Sequence, residues 1–334
     1  NWFFNISKRI NENHQLSLTA FGSPQTHNQR KPLYAGLSIE EWDKVAKWTG
    51  EKNKYRYNAV YGFDNNGKER SSMTNTYHKP QISLNHQWQI DHKSSLSTAL
   101  YMSIGRGSGY SGQGRTSAYR SMWNGSSNGK LLYNFRKEDG TFDYGAIQDM
   151  NAASETGSNM VMSKSNNNHM WYGLLSTYTN EILPGLELSA GVDVRYYVGQ
   201  HTNEIIDLYD GAYFIDDADR RNVKPENNIA ALDPNWKYEK LTVGDVVYRD
   251  YDGHVHQEGV FAQLEYSIDK VNTFISGSLS NTGYWRVDRF YYDEAHQRSE
   301  TINFLGFTVK AGANYNVTDK SNLFLNLGYI SRAP

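Results

Sequence analysis

Apolar and polar residues alternate with a period of two in several separate stretches of this chain, the pattern of strands whose two faces meet different surroundings. In residues 95–104, Leu96, Leu100, Met102 and Ile104, with Thr98 among them, share one face, and Ser95, Ser97, Ala99, Tyr101 and Ser103 share the other. Residues 186–198 repeat the arrangement, with Leu186, Leu188, Ala190, Val192, Val194, Tyr196 and Val198 opposite Glu187, Ser189, Asp193 and Arg195. Further on, Leu323, Leu325, Leu327 and Tyr329 alternate with Phe324, Asn326 and Gly328. The strand expected to pair with them carries Phe307, Val309, Ala311, Ala313, Tyr315 and Val317.

The connections fall into two alternating length classes. Tight turns are expected at Asn11-Glu12-Asn13, Asp91-His92-Lys93, Leu183-Pro184-Gly185, Asp269-Lys270-Val271-Asn272 and Thr318-Asp319-Lys320-Ser321. Between the hairpins lie long polar stretches, residues 22–76, 105–166 and 200–253, with a shorter one at 291–300. Each of the three longest exceeds the roughly 12–15 residues at which a structureless loop is suspect in a compact domain. Short turns at one end, long loops at the other and about ten antiparallel strands describe the wall of a transmembrane β-barrel. One loop has a helix written into it. Ser38 and Glu41 form a capping-box pair and Leu37 and Trp42 a hydrophobic staple, which predicts a short helix over residues 38–48.

Soluble sandwiches and propellers also alternate strands with polar loops, so strand pattern alone leaves both classes open. The loop asymmetry favours the barrel, and the hairpins share no repeat of the kind a propeller needs. Trp88, Tyr196, Tyr266, Tyr315 and Tyr329 sit towards the ends of apolar faces, as interfacial girdles do. Composition agrees: of 334 residues, 38% are hydrophobic yet 14% are aromatic, with 25 tyrosines. The formal charge of −2 and the lack of a long basic run exclude phosphate tracking, so no nucleic-acid partner is expected. The absence of cysteine excludes disulfides and thiolate chemistry. No run of about 18 apolar residues occurs, so a membrane role has to come from strands.

Five segments, in order along the chain, carry a family resemblance. The first is the hairpin Ile10-Asn11-Glu12-Asn13-His14-Gln15-Leu16-Ser17-Leu18-Thr19-Ala20-Phe21-Gly22-Ser23-Pro24-Gln25, running into His27, Gln29 and Arg30. Then come Tyr77-His78-Lys79-Pro80-Gln81-Ile82-Ser83-Leu84-Asn85-His86 and Gly191-Val192-Asp193-Val194-Arg195-Tyr196-Tyr197. The last two are Ser278-Leu279-Ser280-Asn281-Thr282-Gly283-Tyr284-Trp285-Arg286 and Asn326-Leu327-Gly328-Tyr329-Ile330-Ser331-Arg332-Ala333-Pro334. Together they resemble TonB-dependent outer-membrane receptors of the Bacteroidota type.

The resemblance implies an all-β, up-and-down antiparallel transmembrane barrel of about 22 strands, of which residues 1–334 would supply part. It also implies a plug, a TonB-contacting segment and closing strands elsewhere in a longer protein, and both ends of this sequence read as interior strand text. The implied activity is import of a scarce or bulky ligand, such as an iron chelate, a cobalamin-like cofactor or an oligosaccharide. The implied partners are outer-membrane lipid, TonB, that ligand and a surface lipoprotein. No cofactor is expected.

Candidate contact residues follow from position. Asp193 and Arg195, in the polar row with Glu187 and Ser189, serve either as a structural ladder or as ligand contacts in the lumen. Gln25, His27 and Arg30, with Gln29, stand where a strand leaves the wall, either to bind a ligand or to anchor the loop. Trp285 and Arg286, beside Tyr284, offer a stacking and cation–π platform, although an interfacial belt also accounts for the tryptophan. His254 and His256 share a strand face, but without a third ligand they read as a solvated pair. Asp216, Asp217 and Asp219 lack the glycine and distal glutamate of a calcium loop and read as loop charge. Gly105, Gly107, Gly109, Gly112 and Gly114 lack the following helix and Lys-Ser or Lys-Thr of a phosphate loop, and read as a flexible loop base. No nucleophile elbow, zinc-binding helix or supported acid pair is present, so no enzyme is expected. The rival readings are a soluble all-β carbohydrate-binding module or hydrolase, and a surface adhesin built on a barrel.

Overall fold

The computed structural model describes residues 1–30, 36–223 and 229–332. Lys31 to Ala35, inside the first long connection, and Ala333-Pro334, at the end of the fifth resembling segment, lie outside the described residues.

Ten strands form a continuous antiparallel path, each paired with the next along the sequence. They are β1 (Trp2–Arg9), β2 (His14–Gly22), β3 (Gln81–Gln89), β4 (Ser94–Gly114), β5 (Met160–Leu183), β6 (Leu186–Asp207), β7 (Val246–Ile268), β8 (Val271–Asp288), β9 (Ile302–Thr318) and β10 (Ser321–Ser331). All five tight turns fall where the sequence places them. The Asx side chains fix several: Asn11 Oδ1 accepts from the amides of Asn13 and His14, and Asp91 Oδ1 from those of Lys93 and Ser94. Asp269, with φ of 48°, opens the tight turn between β7 and β8.

The two faces are dressed inside out relative to a soluble sheet. On one face the paired rows Leu18, Leu84 and Leu100, or Val192 and Val260, or Leu279 and Phe307, lie side by side in register. These side chains are open rather than stacked in a core: Leu100 is 48%, Val260 54% and Leu279 57% exposed. Burying such groups from water is worth roughly 1.5–3 kcal/mol each, so leaving a whole face of them open is stable only against lipid. The opposite face presents Gln87, Ser97, Thr177, Ser189, Gln263 and Lys310, the dressing of a wet lumen. From Tyr266, paired with Leu186, up to Tyr196 the wall climbs about 33 Å along the strand, or about 25 Å at a tilt of ~40°, the height of an apolar band.

The buried core lies beyond the far ends of the long strands. The long connections, residues 23–80, 115–159, 208–245 and 289–301, fold together into a cap with four apolar clusters. The largest packs Trp123, Phe135, Phe142, Tyr144, Ile147 and Tyr209 against Met160 and Met162 of β5. The helix expected at residues 38–48 is α1 (Ile39–Thr49), with Ser38 Oγ accepting from the Glu41 amide. The reciprocal half of the capping box is absent. The Glu41 carboxylate instead takes Lys44, the Tyr133 hydroxyl and the Leu131 amide, while the Ser38 amide donates to Gly129 O. Three more helices join the expected one: α2 (Ser117–Met122), α3 (Tyr144–Ala152) and α4 (Ile229–Leu232).

Two other expectations are corrected. The glycines from Gly105 to Gly114 are strand, not a flexible loop base. Their missing Cβ atoms make room for partners: the His169 ring lies over Gly105, and the Trp123 ring over Gly112, where an added Cβ would sit 2.1 Å from Cγ. Asp216, Asp217 and Asp219 are not loose loop charge: the last two form an ion-pair lock. Asp217 binds Arg115 at 2.9 Å and Arg221 at 2.6 Å, and Asp219 binds Arg120, joining the second long connection to the third. Asp216 is fully buried and accepts from the amides of Asp219 and Tyr248. Burial, reinforced by the Asp219 charge, pushes its carboxyl up to about 6, against the pull of those two amides and Arg220.

Candidate functional site

Strand register assembles the candidate site on the lumen face of β4, β5 and β6. Gly173 of β5 stands directly between Tyr101 of β4 and Arg195 of β6. Any side chain there would collide, since a Cβ on Gly173 would lie 2.4 Å from Tyr101 Oη and 2.6 Å from Val194 O. Across that gap Arg195 Nε donates to Tyr101 Oη at 3.2 Å. The guanidinium also lies 5.6 Å from the Trp171 ring centroid, and Trp171 meets Tyr101 edge to face at 5.3 Å. Asp193 Oδ2 approaches Arg195 at 3.9 Å, a loose contact between side chains that remain 31% and 42% exposed. The arrangement is an amphipathic shelf: two aromatic faces, a cation held by three neighbours and donors left over.

The shelf continues upward as a diagonal of rings. His169 stacks on Tyr197 with centroids 6.2 Å apart, and His201 stacks on Tyr251 at 4.9 Å. His201 Nδ1 and Asn167 Oδ1 are 2.8 Å apart, and Arg249 reaches Ser165 and Asn167 above them. A cleft of about 720 Å³ opens beside the upper rings, with Tyr197, His201, Tyr284 and Arg286 in its lining and Gly199 and Gly253 leaving space. Stacked rings alternating with cations and amides can slide against a planar or anionic solute without committing to one deep pocket.

The structure distributes the sequence-predicted residues over three places. Asp193 and Arg195 meet on the lumen shelf. Gln25 and His27 lie where the Gln25–Asn28 strand pairs with the Thr74–His78 strand, and both contact Tyr77, Gln25 Oε1 by accepting from its hydroxyl at 2.7 Å. Arg30 is tied to the Tyr55 carbonyl. Trp285 and Arg286 point to opposite faces. Trp285 stacks on His254 at 4.9 Å, with Tyr196 Oη 2.8 Å from His254 Nδ1, in the apolar face's upper girdle, while Arg286 lies 3.8 Å from the Tyr292 centroid. The sequence reading missed Trp171, His169 and Tyr197. Their alternation with Met170, Tyr172 and Tyr196 was available, but their partnership needs the strand register, which brings Trp171 to Tyr101 about seventy positions away and His169 to Tyr197 about thirty away. Among the described residues no group of three or more His, Asp or Glu is placed to hold a metal ion. Among them, too, no helix is long and apolar enough to cross a membrane, which says nothing about strands.

An apolar outer face, a polar inner face and a cap at one end define the wall of a transmembrane β-barrel. No family model and no curated protein matches the sequence. Solved structures match in fold. The unliganded ferric citrate transporter FecA aligns with a TM-score of 0.54 at 10% identity, over 98% of this chain and 35% of that one. The open form of the ferric-catecholate import receptor Fiu from E. coli gives 0.52 at 9% identity, over 99% and 46%. The ferripyoverdine receptor of the Pseudomonas aeruginosa outer membrane, bound to ferripyoverdine, gives 0.52 at 13% identity, over 97% and 34%. The chain therefore spans between 34% and 46% of these proteins. The likeness establishes the fold, an antiparallel transmembrane β-barrel wall.

Proposed function

We propose that residues 1–334 are a partial barrel domain of a TonB-dependent outer-membrane receptor, of the type found in Bacteroidota, that imports a scarce or bulky ligand. The observation that carries this reading is the pairing of a lipid-suited outer face with an aromatic and cationic lumen shelf under a folded cap. In this reading the cap meets the ligand outside the cell, and the shelf of Trp171, Tyr101 and Arg195 contacts it in transit or holds the plug against the wall. Energy would come from TonB through a segment outside this chain, and outer-membrane lipid, with a surface lipoprotein over the cap, would be the other partners. The ferric chelates handled by the matching structures, and a shelf that suits planar or anionic groups, favour a ferric chelate over a cobalamin-like cofactor or an oligosaccharide.

The test is uptake of radio-iron supplied as ferric citrate, a ferric catecholate or ferripyoverdine by cells carrying the complete protein, with labelled cobalamin and an oligosaccharide in parallel. Energy-dependent accumulation of one ligand supports the proposal. If the protein fractionates away from outer membranes, or accumulates none of the panel, the proposal fails.

A further inference from the structure

We infer that the outward-facing surface of β4, β5 and β6, just above the apolar band, seats the headgroup of a phosphorylated, sugar-bearing lipid of the outer leaflet. The inference rests on the membrane-facing reading of the apolar face given above. Climbing that face, β4 runs Leu100, Met102 and Ile104, then Arg106, Ser108 and Tyr110. Beside it in register β5 runs Leu174, Tyr172 and Met170, then Asn168, Asn166 and Lys164. The neighbouring β6 runs Val194, Tyr196 and Val198, then Gln200, Thr202 and Glu204. All three strands thus change chemistry at the same row.

A hollow of about 640 Å³ straddles the change, with Ile104, Met170 and Val198 below and Arg106, Asn168 and Lys164 above. A second cleft, of about 580 Å³, continues upward through the shared Thr76, Ser108 and Lys164 to Thr26, Lys68 and Tyr110. Thr26 and Thr76 are themselves joined hydroxyl to hydroxyl at 3.1 Å, which fixes the shelf. Each outward-facing step raises the surface by about 5 Å, so the first cation stands ~5 Å, and the hydroxyl shelf ~10–15 Å, above the last aliphatic row. Acyl chain, phosphate and sugar follow one another in that order in a glycolipid.

Charge supports the same occupant. Lys68, Arg106 and Lys164 have no ion pair among the described residues. The neighbouring acids Asp64 and Asp207 are already taken by Arg70, at 3.0 and 3.1 Å. The two linings carry Lys68, Arg70, Arg106 and Lys164 against Glu69 and Asp207, and with Glu204, the register partner of Lys164, four cations still face three acids beside an apolar floor. A free phosphate would use the cations and gain nothing from Ile104, Met170 and Val198. A lipid uses both.

The experiment reconstitutes the complete protein in phosphatidylethanolamine nanodiscs, with or without diphosphoryl lipid A carrying its inner-core sugars, and counts retained lipids by native mass spectrometry. The wild type is expected to keep one glycolipid, and the Arg106→Gln, Lys164→Gln double variant to lose at least ten-fold in retention while holding phosphatidylethanolamine as before. Arg106→Lys, which keeps the charge, is expected to retain binding, and equal circular dichroism checks that both variants fold. Equal retention by the double variant, or by wild type given dephosphorylated glycolipid, overturns the inference. Displacement of the adduct by inorganic phosphate alone overturns it too, in favour of a soluble-anion site. Insertion is scored separately: a protein that does not enter bilayers sinks the proposed function, whereas one that inserts and keeps no glycolipid sinks only this assignment.

Discussion

Leu279 offers a direct test of the inside-out wall. It lies on the apolar face of β8, between Val260 and Phe307 in the register, and is 57% exposed. Six residues separate it from Trp285 in the upper girdle, about 20 Å along the strand and ~15 Å in height, so it sits near the middle of a band about 25 Å tall. Leu279→Arg therefore places a guanidinium at the bilayer midplane, at a cost of about 2–4 kcal/mol. That corresponds to a loss of roughly thirty-fold to several-hundred-fold in the folding equilibrium. Ser280, the next residue, faces the lumen between Gly259 and Gly306, where an arginine finds both room and water. Ser280→Arg should cost under about 1 kcal/mol. The assay is urea-dependent folding of the complete protein into phosphatidylcholine vesicles, followed by tryptophan fluorescence and heat-modifiable gel mobility. If the two substitutions cost the same, or the order is reversed, the apolar face does not look at lipid and the transporter reading loses its foundation.

Gly112→Ala should weaken the cap by about 1–3 kcal/mol, because the new methyl overlaps the Trp123 ring; protease resistance of residues 115–159 should fall while vesicle insertion is unchanged. Asp216 sets a pH dependence. Its folded value of about 6 lies above the ordinary 3.8, so the stability it contributes is fully present below pH 4 and is lost as pH rises through 6, a difference of roughly 3 kcal/mol. Hydrogen exchange of residues 208–245 between pH 4 and 8 should show that loss in the wild type and flatten in Asp216→Asn; parallel curves would refute the assignment. Arg195→Ala should weaken binding of an anionic ferric chelate about ten- to a hundred-fold, the worth of a charge-assisted hydrogen bond, with insertion unaffected; isothermal titration checks it.

The membrane-spanning part of the wall was legible in the amino acids because lipid on one side and water on the other impose strict alternation, as in residues 95–104 and 186–198. Above the bilayer neither face meets lipid: water reaches some positions and the cap covers others, such as Met160, Val161 and Met162, so alternation loses its meaning and the ladder runs on through Ser, Asn and Gly. Residues 105–114 and 160–166 therefore read as loop although they are strand. Within the cap, α1 was readable because Ser38, Glu41, Leu37 and Trp42 are local neighbours. The ion-pair lock was not, because Asp217 and Asp219 find Arg115 and Arg120 about a hundred positions away. The lumen shelf was half readable: Asp193 and Arg195 declare themselves on one strand, but Tyr101 and Trp171 join them only through pairing geometry.

Among the described residues the packed apolar clusters lie in the cap and the strand ends that enter it, and none lies in the apolar band, which divides the calorimetry of the molecule. Heat-capacity change on melting comes from oily surface newly wetted, and wall side chains that pass from one lipid contact to another contribute little to it. The cap, with Trp123, Phe142 and Tyr144 sealed inside, carries that signal. Warming should thus open the cap in its own endotherm while the strands stay seated, leaving a bald wall that still holds its place in the bilayer.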